Sequence, residues 1–186
     1  SGEFGTAQQL KRELITEACA TIAFSAIKNN DKVGLILFSD TVEKFIPPKK
    51  GRSHILRLVR ELLEFRAASK GTDITAALRY LNSVIKKRSI AFLLSDMIDE
   101  DYEPAIKIAN RRHDLVVLRT TDPRESELPN VGLVQFMDPE TGDSRWVNTG
   151  SRSVRNAFRA AALKHQNRTR ELLRRSGVDH ATISTQ

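Results

Sequence analysis

The residues of this chain best suited to chemistry are Asp96 and Thr72, each beside what reads as a regular element. Asp96 follows the apolar run of the stretch 89–101, SIAFLLSDMIDED, which turns abruptly acidic. A carboxylate just past a buried strand lies where open α/β sheets bind ligands. Thr72 lies in Lys70-Gly71-Thr72-Asp73-Ile74, a glycine followed by a hydroxyl at a helix start. Each has a plainer role when taken singly: Asp96 as a turn residue, Thr72 or Asp73 as an N-cap accepting from the helix's first N–H groups. Together, one carboxylate and one or two hydroxyls make a hard oxygen site for Mg²⁺ or Mn²⁺. Such a cation keeps several waters and accepts one more oxygen ligand, from a partner's carboxylate or a phosphate. No second carboxylate accompanies them for two-metal hydrolysis, and no general base or phosphate-binding loop is in view.

Other residues take ordinary readings. His54, His113, His165 and His180 share no spacing with cysteine or acid that would make a zinc site. The chain has no G-x-S-x-G, no P-loop and no G-x-G-x-x-G, so the usual grounds for a hydrolase, an NTPase or a dinucleotide enzyme are missing, and no residue is assigned a catalytic role. Asp99, Glu100 and Asp101 read as solvating and capping the next helix, Trp146 as hairpin packing, and Asp31 and Asp40 as turn residues, with Asp40 near the strand ends.

The elements that must position Asp96 and Thr72 follow from apolar periodicity. Residues 7–28 carry Leu10, Leu14, Ile15, Ala18, Cys19, Ile22, Ala23, Ala26 and Ile27 at helical spacing. Residues 33–38 form a continuous apolar strand, and 41–46 an alternating one that Pro47-Pro48 ends, so the pair reads as a hairpin at a sheet edge. Ser53 reads as the N-cap of a helix with Ile55, Leu58, Val59, Leu62 and Leu63 inward. A helix from about 73 leads into strand 90–94, read as central and buried. Pro104 suits the first turn of the next helix, which ends at Arg111 and Arg112. Residues 115–118 are a third buried strand. Two segments, 131–137 and 145–148, flank a turn-rich link as a second hairpin. A long helix over 153–175 and a strand over 181–185 complete the chain.

This alternation predicts an α/β domain: a doubly wound, mostly parallel sheet with helices on both faces, an edge hairpin, and a C-terminal hairpin plus long helix. Residues 1–186 read as one domain. A right-handed βαβ unit calls for a strand ahead of the first helix, so the expectation is a domain truncated at its N-terminus, without its first central strand, and with its C-terminus open to the same reading. Residues 1–6 suit either a native approach or a cloning remnant.

Composition bounds the class. The 186 residues are 40% hydrophobic and 28% charged, enough for a globular core. No run approaches the ~20 apolar residues of a membrane-spanning helix. A single cysteine, Cys19, excludes an intrachain disulfide and points to a reducing compartment, hence the cytoplasm. The net charge of +7 comes largely from residues 152–175, which suits a solvated helix face, an acidic partner or nucleic acid.

The ordered series 30–40 (NDKVGLILFSD), 45–52 (FIPPKKGR), Gly71-Thr72-Asp73-Ile74 and Leu94-Ser95-Asp96 resembles the bacterial domain-of-unknown-function family 58, from about Phe4 to the C-terminus. The resemblance implies a von Willebrand factor type A-like fold and a metal-ion-dependent adhesion site. In that site a D-x-S-x-S motif follows the first strand, a threonine comes from a later loop and an aspartate follows the fourth strand. Thr72 matches the threonine and Asp96 the aspartate. The D-x-S-x-S motif itself is not in this sequence, and Ser1 stands as its final serine, which makes Ser1, Thr72 and Asp96 the implied metal ligands for Mg²⁺ or Mn²⁺. The resemblance also implies a partner, a MoxR-type AAA+ ATPase, in a chaperone-like or assembly role.

The leading expectation is therefore a non-enzymatic, divalent-metal-dependent protein–protein interaction module that meets a MoxR-type ATPase or an acidic residue of a client. The alternative is a nucleic-acid-binding module using Arg152, Arg155, Arg159, Lys164, Arg168, Arg170, Arg174 and Arg175, with too few aromatics there for base stacking.

Overall fold

The computed structural model of the chain describes residues 2–69, 71–99, 101–123, 127–137 and 144–185. These form, in order, α1 (Gly2–Lys28), β1 (Val33–Phe38), β2 (Val42–Lys49), α2 (Arg52–Glu64), α3 (Ile74–Val84), β3 (Ile90–Ser95), α4 (Glu103–Arg112), β4 (Asp114–Thr121), β5 (Leu133–Met137), β6 (Ser144–Asn148), α5 (Arg152–Arg175) and β7 (Asp179–Ser184). The result is a mixed α/β arrangement. Strands β3, β4 and β7 form a parallel sheet in that order, β1 and β2 an antiparallel pair, and β5 and β6 a second hairpin. The link 138–143 between β5 and β6 lies outside the described residues.

The main core lies where α3, α4 and the end of α5 cover one face of the parallel sheet. Leu93, Leu115 and Val117 from the strands meet Ile106 and Ala109 of α4 and Leu173 of α5. A second cluster joins Ala23 of α1 to Ile46 of β2 and to Ile55 and Leu58 of α2. Two helices link the halves: α1 packs on α2 and also reaches β4 and β7, while α3 packs on β1, β2 and α4. On the sheet's other face, Leu14, Ala18 and Ile22 of α1 border a groove shared with Leu118 and Ile183. Both β1 and β3 pair on one side only among the described residues.

That free edge corrects the reading of β3 as a central buried strand. Ile90 and Phe92, alternating with the more buried Ala91 and Leu93, are 66% and 43% exposed, so one face of β3 is uncovered at its start, and among the described residues no strand pairs with its outer edge. A second correction concerns β2, which runs through Pro47-Pro48 to Lys49 instead of ending there. Prolines are tolerated at an edge strand, and the β1–β2 register shifts between Val33 and Leu35, opposite them. The shift brings β2 so close that a Cβ at Gly34 would meet the Ile46 carbonyl oxygen at 2.9 Å. Helix α2 begins at Arg52 with Gly51 at the N-cap, so Ser53 is inside the helix. Trp146 is 61% exposed on the hairpin and not packed within it. The long C-terminal helix and the last strand fall where periodicity puts them, within two residues.

Candidate functional site at the carboxyl ends of β1 and β3

Two strand ends meet at the start of α3. The Asp73 N–H donates to the Ser39 carbonyl at 2.8 Å, which ties the end of β1 to this point. The Ile74 N–H donates to Asp99 Oδ2 at 2.8 Å, which ties the loop after β3 to the same turn. Helix N-termini leave N–H groups without intrahelical partners, so an acid from another loop is a natural clamp. The Asp73 carboxylate completes the cap by accepting from the Ala76 N–H at 2.7 Å. The capping choice left open between Thr72 and Asp73 thus falls to Asp73. Asp99 serves α3, and Tyr102, not an acid, occupies the N-cap of α4, which corrects the reading of 99–101 as caps of that helix; Glu100 lies outside the described residues.

Asp40 organises the loop before Thr72. It accepts from Ser39 Oγ at 3.2 Å and from Ser69 Oγ at 2.8 Å, and Ser69 Oγ in turn accepts from the Gly71 N–H at 3.3 Å. Asp40 is therefore both a turn residue and a member of the strand-end cluster. Gly71 passes close enough that a Cβ there would come within 3.3 Å of the Asp40 Cβ. Thr72 follows directly, half-buried, in a loop held from both sides.

The turn after β3 aims Asp96. The Met97 N–H donates to Ser95 Oγ at 3.0 Å, and the Ile98 N–H to Asp96 Oδ1 at 3.3 Å. Met97 sits at φ 60°, a left-handed conformation costing a non-glycine residue about 1 kcal/mol. Full burial of its side chain in the main core offsets that cost. The Asp96 carboxylate, 33% exposed, then faces α1, where Lys11 Nζ lies 3.6 Å from Oδ2. Asp96 is thus a turn residue and also a carboxylate presented to a cation.

These residues fit a hard cation in type but only in part in number. The loops at the strand ends supply carboxylate and hydroxyl oxygens. Asp40 and Asp99 are engaged in loop bonds, and among the described residues no group of three or more His, Cys, Asp and Glu is gathered as a metal site. A cation here would rest on Asp96, the Thr72 hydroxyl, waters and further oxygen ligands. Ser1 lies outside the described residues.

Lys11 escaped the sequence reading, although a signal was present. It stands one turn ahead of Ile15, Ala18 and Ile22 and so puts a charge on an apolar stripe. Elsewhere, burial pushes the Cys19 thiol up to about 11, which makes it unreactive. On α5, Arg155 is engaged locally, donating to the carbonyls of Thr149 and Gly150 at 2.6 and 2.9 Å. Arg159, Arg174 and Arg175 meet Glu127, Glu171 and Glu103. Among the described residues, no helix is long and apolar enough to cross a membrane.

Fold and site together define a mixed α/β domain with an oxygen-rich loop cluster at the carboxyl ends of its strands. Residues 1–168 match the family model described as "Protein of unknown function DUF58", and the chain belongs to that family. Uncharacterized protein Rv1480 of Mycobacterium tuberculosis and uncharacterized protein Mb1516 of Mycobacterium bovis are each 26% identical over 98% of this chain. The chain spans 58% of the length of those relatives. Among solved structures, the conserved hypothetical protein BatB of Bacteroides thetaiotaomicron superposes over 94% of this chain and 80% of its own, with TM-score 0.61 at 16% identity. An aerotolerance-related membrane protein of Bacteroides fragilis superposes over 90% of this chain and 80% of its own, with TM-score 0.56 at 17% identity. At these identities the likeness concerns the fold alone.

Proposed function

We propose that the chain is a protein-interaction module, without catalysis of its own, that engages an acidic group of a partner through Mg²⁺ or Mn²⁺ held by Asp96 and Thr72. One observation carries this reading: a partly exposed carboxylate at the carboxyl end of β3 with a positive charge already facing its Oδ2. A hard divalent ion with a site open to solvent takes up a further carboxylate readily. The order of motifs along the chain supports a von Willebrand factor type A-like fold in which Thr72 and Asp96 supply two ligands and Ser1 a third. Within that reading the partner is a MoxR-type AAA+ ATPase, the role chaperone-like or in assembly, and the setting cytoplasmic. Binding of such an ATPase to the immobilised protein, in Mg²⁺ and then in chelator, tests it. The complex is expected to dissociate in chelator and to fail with Thr72→Ala; equal binding in both buffers would refute the metal bridge.

A second reading, nucleic-acid binding through α5, rests on the exposure of Arg152, Arg168 and Arg170. It predicts affinity for DNA or RNA that falls steeply with salt and with Arg168→Glu and Arg170→Glu. Affinity that ignores both would remove it.

A further inference from the structure

Helix α5 is anchored at its carboxyl end, where Leu173 is 1% exposed and joins the main core with Leu172. Phe158 lies on the same helical stripe as Leu173 but is 37% exposed, and residues 156–161 are exposed on all sides. The amino-terminal half therefore outruns the sheet that the helix covers. It is nevertheless held, because Arg155 donates to the carbonyls of Thr149 and Gly150 and Arg159 meets Glu127. Opposite the core stripe, two rows of long cations border short side chains. Arg152, Arg159 and Arg170 follow one side of the helix with Leu163, while Lys164 and Arg168 follow the other with Ala157 and Ala161. Asn156, Ala160 and Asn167 form the floor between them. The cations on α5 number eight against one acid, Glu171, and Arg152, Lys164, Arg168 and Arg170 meet no acid among the described residues.

We propose that this outward face of α5 docks an acidic amphipathic helix of a partner protein. Carboxylates along the partner's flanks meet the two rows of cations, and its apolar seam lies over the alanines and against Leu163, which is 49% exposed. Short side chains on the floor let the two helix axes approach closely. The face is already helical and held at both ends, so docking orders little of this chain. A second copy of the chain would bring like charge against like charge. Nucleic acid would use the cations but leave Leu163 and the alanines without a counterpart, and a bilayer would find too little apolar surface among alanines to anchor the helix. The contact needs no metal ion, so it stands independently of the cation reading of Asp96 and Thr72.

Fluorescence anisotropy in chelator tests the proposal with a labelled peptide as long as α5, carrying leucines at alternating third and fourth positions and glutamate and alanine elsewhere. A scrambled version, a version with lysine for glutamate, duplex DNA and phosphatidylglycerol vesicles are measured beside it. The full-length protein is expected to bind the patterned peptide on the order of tenfold more tightly than the scramble and to ignore the lysine version. Leu163→Asn, and Lys164→Glu combined with Arg170→Glu, should each weaken the patterned peptide about tenfold. All three positions are exposed, and an unchanged circular dichroism melt confirms that each variant folds. Equal binding of patterned and scrambled peptides, or no binding of either, would overturn the proposal. Tighter binding of DNA, untouched by Leu163→Asn, would give the helix to nucleic acid, and tighter binding of vesicles would give it to a lipid surface. Failure of the metal bridge at Asp96 would leave this binding intact, and failure here would leave that bridge intact.

Discussion

Replacing Asp99 and Asp96 separately should separate a structural acid from a functional one. In Asp99→Ala the Ile74 N–H loses its charged acceptor. Ile74 is fully buried, so water cannot easily take the acceptor's place. A buried donor left unsatisfied costs about 1–3 kcal/mol. For a chain of this size each kcal/mol lowers the melting temperature by about 2–4 °C, so a cost of about 2 kcal/mol predicts a fall of roughly 4–8 °C. Asp99→Asn keeps an acceptor oxygen and should recover part of that loss. Asp96→Ala removes a pair whose carboxylate is partly exposed and one long hydrogen bond, and the Lys11 ammonium can turn to water on its flexible stem, so the loss should stay near about 1 kcal/mol. Thermal melts with amide exchange at Ile74 are the assay, and Asp99→Ala should speed that exchange. The reasoning fails if Asp96→Ala costs as much as Asp99→Ala, or if Asp99→Ala leaves both melting and exchange unchanged.

Three further outcomes follow from the same geometry. Gly34→Ala should destabilise the β1–β2 pair by about 1–3 kcal/mol, because its Cβ meets a backbone carbonyl that cannot yield cheaply; a neutral result in denaturant unfolding would show that the register shift relaxes. His113 is fully buried, and burial, with Arg112 and Arg88, holds its pKa below the ordinary 6.5. On acidification below about 6.5 the unfolded chain takes up this proton first, so stability should fall more steeply in wild type than in His113→Leu; equal slopes would contradict it. Cys19, its thiol pushed up to about 11, should react with iodoacetamide far more slowly in the native protein than in denaturant.

Much of the fold was legible because local patterns agree with their surroundings. The long helix read over 153–175 and the continuous apolar runs of β1 and β4 mark elements that the structure places within a few residues. What periodicity cannot state is pairing. The apolar run of β3 predicts burial on both faces, but exposure of Ile90 and Phe92 depends on what covers that face of the sheet. Pro47 and Pro48 likewise read as strand breakers, and only the edge position of β2 lets them stay. At the candidate site, residue type and strand end singled out Asp96. The division of labour among neighbouring acids was not legible, because Asp99 reaches α3 and not the helix that follows it, a contact made across 25 residues. Lys11 is legible only in retrospect, since a lysine on an apolar stripe reads as a frayed helix end until Asp96 is placed opposite.

The measurement closest to the central claim is calorimetric titration of the full-length protein with Mn²⁺, beside Asp96→Ala and Thr72→Ala. The account predicts saturable binding by wild type that Asp96→Ala abolishes and Thr72→Ala weakens. Equal binding by wild type and Asp96→Ala would contradict it.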